Sequence, residues 1–129
     1  IYAPAGRNTG KNADDPFGGT IAEVDVYDIA SNSWETLPNN IPTRRAGNAA
    51  ILYNGEVVVA GGESPQQEKA HAEVEVLDLE TNQWKTMPLL LEGRHGTGLL
   101  EYKGALYIAS GCGNRGGEPE LFTMEKFNE

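Results

Sequence analysis

The sequence predicts an all-β chain built from a repeated unit of four short antiparallel strands, and three observations carry that prediction. Residues 22–38 (AEVDVYDIASNSWETLP) return as residues 72–88 (AEVEVLDLETNQWKTMP) at an offset of 50, with 9 of 17 positions identical. Residues 45–62 (RAGNAAILYNGEVVVAGG) return as 94–111 (RHGTGLLEYKGALYIASG) at an offset of 49, sharing an Arg, three Gly, a Tyr and an Ala. The one-residue slip falls between Pro38 and Arg45, in a stretch that reads as a loop, where insertions are tolerated. Within each copy, apolar runs of strand length alternate with turn residues, and 16 Gly and 7 Pro supply those turns.

The elements of the unit follow in order. Segment 46–53 reads as the first strand and ends at Asn54-Gly55, a hairpin signal because both positions tolerate positive φ; Lys103-Gly104 holds the same place one copy later. Segment 57–60 (Val-Val-Val-Ala) and its equivalent, Leu106 to Ala109, are continuous apolar runs that suit a strand covered on both faces. Segments 23–27 and 73–77 alternate acidic and apolar residues, which predicts a third strand that has one wet face or lies nearer the rim of its sheet. Asp28 to Ser33 and Asp78 to Gln83 read as tight turns, the Asp accepting backbone N–H groups and Asn32 or Asn82 taking the left-handed conformation. Trp34 and Trp84 open the fourth strand, and Pro38 and Pro88 close it.

Taken together, Arg45 with Gly47, the run from Val57 to Gly61-Gly62, Tyr27-Asp28 (Leu77-Asp78 in the second copy), and Trp34 and Trp84 resemble the kelch repeat. The resemblance covers nearly the whole chain. It departs from the pattern where Ser110-Gly111 replaces Gly-Gly and Leu77 replaces Tyr. In tone, GRHGTG followed by SGCGNRGGEPEL is similar to bacterial multi-repeat kelch proteins. The resemblance implies four-stranded blades of a β-propeller. Residues 1–38 would form a partial blade, 45–88 a complete one and 94–129 another partial one, about two and a half blades in 129 residues. Aligning Ile1–Gly6 with Val57–Gly62, and Met124–Asn128 with Val74–Asp78, predicts three, four and three strands. Rings need roughly 4–8 blades. The chain is therefore expected to be part of a larger propeller, a subunit of a self-assembling ring, or an open stack with exposed apolar end faces.

The charge excludes some partners. With 19 Asp plus Glu against 10 Lys plus Arg, the formal net charge is −9, and only Arg44-Arg45 place two cations side by side, so nucleic acid is not an expected partner. The acidic residues Glu23, Asp25, Glu73 and Glu75 on the alternating strands are expected to form a solvated rim. No run of 18 apolar residues suggests a membrane span, and no basic stretch leads into an apolar one as in a signal peptide. Cys112 is the single cysteine, so no disulfide framework is expected. The bacterial resemblance favours an extracellular or periplasmic location.

Four residues are candidates for ligand binding: Arg45, Arg94, His95 and Arg115. Arg45 and Arg94 recur once per copy. They read either as a ring of guanidinium groups at one mouth of a channel or as structural groups bonding loop carbonyls beside their Gly neighbours. The connections 7–21, 63–72 and 112–120 differ in sequence while the strands around them stay alike, which is where binding is expected on a repeated scaffold. Asp14-Asp15 lack the spaced acidic pattern of a Ca²⁺ loop, and His71 and His95 stand at non-equivalent positions, so neither a metal nor a cofactor is expected. Gly61, Gly62, Tyr27, Asp28, Asp78, Trp34 and Trp84 read as structural.

The expected function is a non-catalytic binding or scaffolding module that presents its variable loops to a protein or glycan. Two alternatives are a fragment of a carbohydrate-acting propeller enzyme, galactose-oxidase-like or sugar-isomerase-like, and a self-assembling propeller subunit. The copper-radical chemistry of galactose oxidase relatives needs a Cys-linked Tyr and two His ligands, which the resemblance does not supply in matching positions.

Overall fold

Three antiparallel sheets follow one another along the chain in a computed structural model that describes residues 1–11 and 14–127. The first sheet contains β1 (Tyr2–Arg7), β2 (Thr20–Asp28) and β3 (Ser33–Thr36), in that order. The second is complete, with β4 (Ala49–Tyr53), β5 (Glu56–Ala60), β6 (Val74–Asp78) and β7 (Gln83–Met87). The third runs β8 (Leu99–Tyr102), β9 (Ala105–Ala109) and β10 (Met124–Phe127). Among the described residues these are the all-β sheets expected from the repeat, of three, four and three strands, none of them closed on itself. Asn128, which the sequence aligns with Asp78, lies outside the described residues, as do Asn12 and Ala13 in the first long connection.

Local chemistry fixes the turns. Asn54-Gly55 and Lys103-Gly104 both take positive φ at both positions (49° and 81°, 52° and 74°), whose twist matches that of the flanking strands. Asn32 and Asn82 are left-handed at 53° and 56°. In the same turns Asp28 accepts the Ser31 N–H, and Asp78 accepts those of Glu80 and Thr81. Those backbone N–H groups, with Ser31 the main one for Asp28 and Thr81 for Asp78, hold both carboxyls below the ordinary aspartate value.

The sheets stack face to face through two apolar seams. One joins Ala22 and Val24 of β2 to Val57, Val59 and Leu77, with Ile41 between them. The other joins Ala49, Val58, Ala60, Val74 and Val76 of the second sheet to Leu99, Leu106 and Ile108 of the third. The second sheet is thus buried on both faces, and each fully buried aliphatic side chain contributes about 1.5–3 kcal/mol of transfer free energy. Between neighbouring sheets, Gly6 donates its N–H to the Arg45 carbonyl (3.1 Å) and Gly62 donates to the Arg94 carbonyl (2.8 Å), the same bond at equivalent positions.

Two expectations are corrected. Segment 73–77 does not carry a wet face, for Val74, Glu75, Val76 and Leu77 are all buried, Glu75 at 2 % exposure. Its carboxylate is charge-compensated by Arg45, whose Nη1 lies 2.5 Å from Glu75 Oε2, so an acidic residue can occupy an interior position. Glu75 therefore leaves the predicted solvated rim, whereas Glu23 is exposed and Asp25 and Glu73 are half-buried. The connection read as 7–21 is also shorter, because β2 begins at Thr20, where Thr20 and Ile21 pair with Arg7 and Gly6 across a bulge.

Candidate functional site

The three long connections lie at one end of the stack. They follow β1, β5 and β9, while the hairpins at 54–55 and 79–82 lie at the other end of β5 and β6. They are tied to one another. Arg7, Glu63 and Cys112 each follow the glycine that ends the second strand of a copy, and Arg7 Nη2 bonds Glu63 Oε1 across the first seam at 2.9 Å. The other oxygen of Glu63 accepts the Gly116 N–H at 2.8 Å across the second seam, and His95 Nε2 lies 3.6 Å from it. Glu63, 8 % exposed, thus joins all three sheets. Its burial opposes ionisation, but the Gly116 N–H, Arg7 and His95 outweigh it and hold the carboxyl below the ordinary glutamate value.

Further ties make the surface continuous. Arg115 donates from Nη1 to the Pro65 carbonyl (3.1 Å) and from its backbone N–H to the Glu68 carbonyl (2.8 Å). Ala70 donates to the Gly113 carbonyl (2.9 Å). Phe17, in a turn closed by Asp15 Oδ1 on the Phe17 N–H, lies beneath two guanidinium groups, with Arg115 Cζ 5.1 Å and Arg7 Cζ 5.9 Å from its ring centroid. A cleft of about 370 Å³ opens beside this cluster between Gly18–Ile21 and Pro65-Gln66, with Glu23 and Arg44 in its wall.

His95 and Arg115 therefore belong to the cluster. His95 is buried with Nε2 also bonded to the Asn114 carbonyl (2.8 Å), and Arg115 is exposed. Arg45 and Arg94 take a different place. Both are 0 % exposed. Arg45 bonds Glu75 and the carbonyls of Thr43 and Val59; Arg94 bonds Glu125 and the carbonyls of Glu92, Ser110 and Thr123. Their donors stitch the segment that precedes the first strand of the second and third sheets to the second and third strands of the same sheet or to the residues beside them.

Sequence reading missed Glu63, Arg7 and Phe17. The first two stand at one repeat position with opposite charges, a signal visible once the copies are aligned. Phe17 has no counterpart in the other connections and gives no such signal.

One further arrangement has the order of a nucleophilic relay. Ser64 Oγ lies 2.7 Å from His71 Nε2, and His71 Nδ1 lies 3.0 Å from Glu73 Oε2. Exposure runs the wrong way for chemistry: Ser64 is 0 % exposed, while the Glu73 side chain is 37 % exposed. An attacking hydroxyl must reach substrate, so this network acts as an internal brace. It fixes the connection between β5 and β6, with the His71 N–H on the Gly62 carbonyl and the Arg94 N–H on that of His71.

Comparison with known protein families matches residues 44–88, the span of the complete sheet, to the Kelch motif. No curated protein matches the chain.

Proposed function

We propose that this kelch-repeat chain is a protein-interaction module whose binding surface is the end of the stack built from Phe17, Glu63, Arg115 and the loops around them. The observation that supports it most is the Arg7–Glu63–Gly116 junction, which joins three loops of unlike sequence into one preorganised surface. Preorganisation lowers the ordering cost of binding. An exposed Arg on an aromatic ring and a polar cleft are features that interfaces favour.

The test is selection of binders to the 129-residue chain from a displayed library of folded domains, followed by affinity measurement on variants. Arg115→Ala is expected to weaken the dominant binders by at least tenfold, and Asn54→Asp, in the opposite hairpin, to leave them unchanged. Binders that ignore Arg115 and respond to the hairpin would overturn the proposal.

A further inference from the structure

We propose that the cleft bounded by Arg44 and Glu73 is a binding site for a free α-amino acid, whose ammonium meets Glu73 and whose carboxylate meets Arg44. The cleft holds about 300 Å³ between Pro42–Arg44 and the connection from β5 to β6, at the lower end of the range that small-molecule sites occupy. Its walls lie wholly within residues 42–73, around the complete sheet.

The Ser64–His71–Glu73 network supplies the first part of the reasoning. An ionised carboxylate only accepts hydrogen bonds, so His71 Nδ1 carries the proton and donates to Glu73 Oε2 over 3.0 Å. A neutral ring then accepts at Nε2, where Ser64 Oγ donates over 2.7 Å. Ser64 is 0 % and His71 4 % exposed, whereas the Glu73 side chain is 37 % exposed and lines the cleft. The network thus ends at a carboxylate that two buried groups hold in place, with lone pairs left for a donor from outside. Burial opposes its ionisation, but its own backbone N–H and His71 outweigh it, so Glu73 is an anion at neutral pH.

The repeat itself does not require this network. The aligned positions are Asn8, Ile21 and Glu23 in the first copy and Gly113, Leu121 and Thr123 in the third, so neither neighbour can form it. The cation is equally particular to this copy. The Arg44 side chain is exposed and makes no hydrogen bond or ion pair among the described residues. The next copy has Gly93 in its place, packed so closely that a Cβ there would lie 2.1 Å from the Ala70 carbonyl oxygen. One cleft therefore carries a fixed anion and an available guanidinium that do not pair with each other. An α-amino acid presents the complementary charges on a single carbon, and a ligand with one charge leaves the other group unmet. The exposed Gln66 amide, also in the wall, adds a donor for the carboxylate.

The experiment titrates the 129-residue chain with each common L-amino acid, reading amide chemical shifts, and repeats the titration with the N-acetyl and carboxamide derivatives of the tightest binder. At least one amino acid is expected to bind saturably and to shift the amides of Arg44, Gln66 and Glu73 together. Blocking either end should weaken binding about tenfold or more, the loss expected for a hydrogen bond between charged groups. Arg44→Gln and Glu73→Gln should each do the same, and Arg44→Gln removes no internal bond, which separates recognition from folding. Ser64→Ala, acting only through His71, should weaken the amino acid several-fold yet leave the N-acetyl derivative unchanged, because that ligand no longer uses Glu73. The proposal is overturned by absence of saturable binding across the amino acids, by blocked derivatives that bind as well as the parent, by shifts confined to other surfaces, or by full affinity in Arg44→Gln or Glu73→Gln.

Discussion

The backbone carbonyl oxygen of Arg94 lies 2.2 Å from the point where a Cβ on Gly61 would sit. Gly61 also has φ of +67°, and its neighbour Gly62 donates its N–H to that same carbonyl. The glycine is therefore set by the approach of the next sheet as well as by its own dihedral. Gly61→Ala is expected to cost roughly 2–4 kcal/mol, combining left-handed strain with a backbone shift at the seam. At the equivalent position Ser110 already carries a Cβ at φ +53°, so Ser110→Gly is expected to stabilise by about 1 kcal/mol. Urea denaturation of the two variants measures both signs.

The buried Arg45–Glu75 pair makes a second prediction. With side chains 0 % and 3 % exposed, removing one partner strands a charge in the interior, so Glu75→Ala should cost about 3–5 kcal/mol. Its counterpart pair, Arg94–Glu125, has the carboxylate 11 % exposed, and Glu125→Ala should cost less. Thermal melts of the two variants should preserve that order.

Acid should loosen the loop end through Glu63. Its folded pKa lies below the ordinary 4.5, so the stability it contributes is fully present above pH 4.5 and is lost as pH falls through the depressed value. Glu73 titrates in the same direction: burial opposes its ionisation, but its own backbone N–H and His71 outweigh it. Glu63→Gln should reduce stability at neutral pH and converge on the parent chain in acid. Denaturation midpoints from pH 7 down to pH 2 follow the convergence.

The hairpin at Lys103-Gly104 holds a lysine at φ +52°, where the equivalent turn has Asn54. Asparagine tolerates that conformation better, so Lys103→Asn is expected to stabilise by roughly 0.5–1 kcal/mol. A rise of a few degrees in Tm checks it.

Much of this fold was legible from repetition. The offset of 50 aligned Trp34 with Trp84 and Asp28 with Asp78, and the resulting strands and Asn turns follow from backbone rules that need no tertiary knowledge. Glu75 was not legible. Its alternating neighbours give the pattern of a half-wet strand, and only a guanidinium 30 residues earlier in the chain turns the acidic position into an interior one. Arg115 and His95 could be singled out as residue types, but their meeting with Phe17 and Glu63 depends on how three sheets stack. Local periodicity cannot encode that.

Amide hydrogen exchange on the chain with and without its selected binding partner tests the central claim most directly. The loop end acting as one interaction surface predicts that the partner slows exchange together at residues 15–19, 63–71 and 113–117, with the hairpins at 54–55 and 79–82 unchanged. Protection confined to those hairpins, or to a single loop with the other two unaffected, would contradict it.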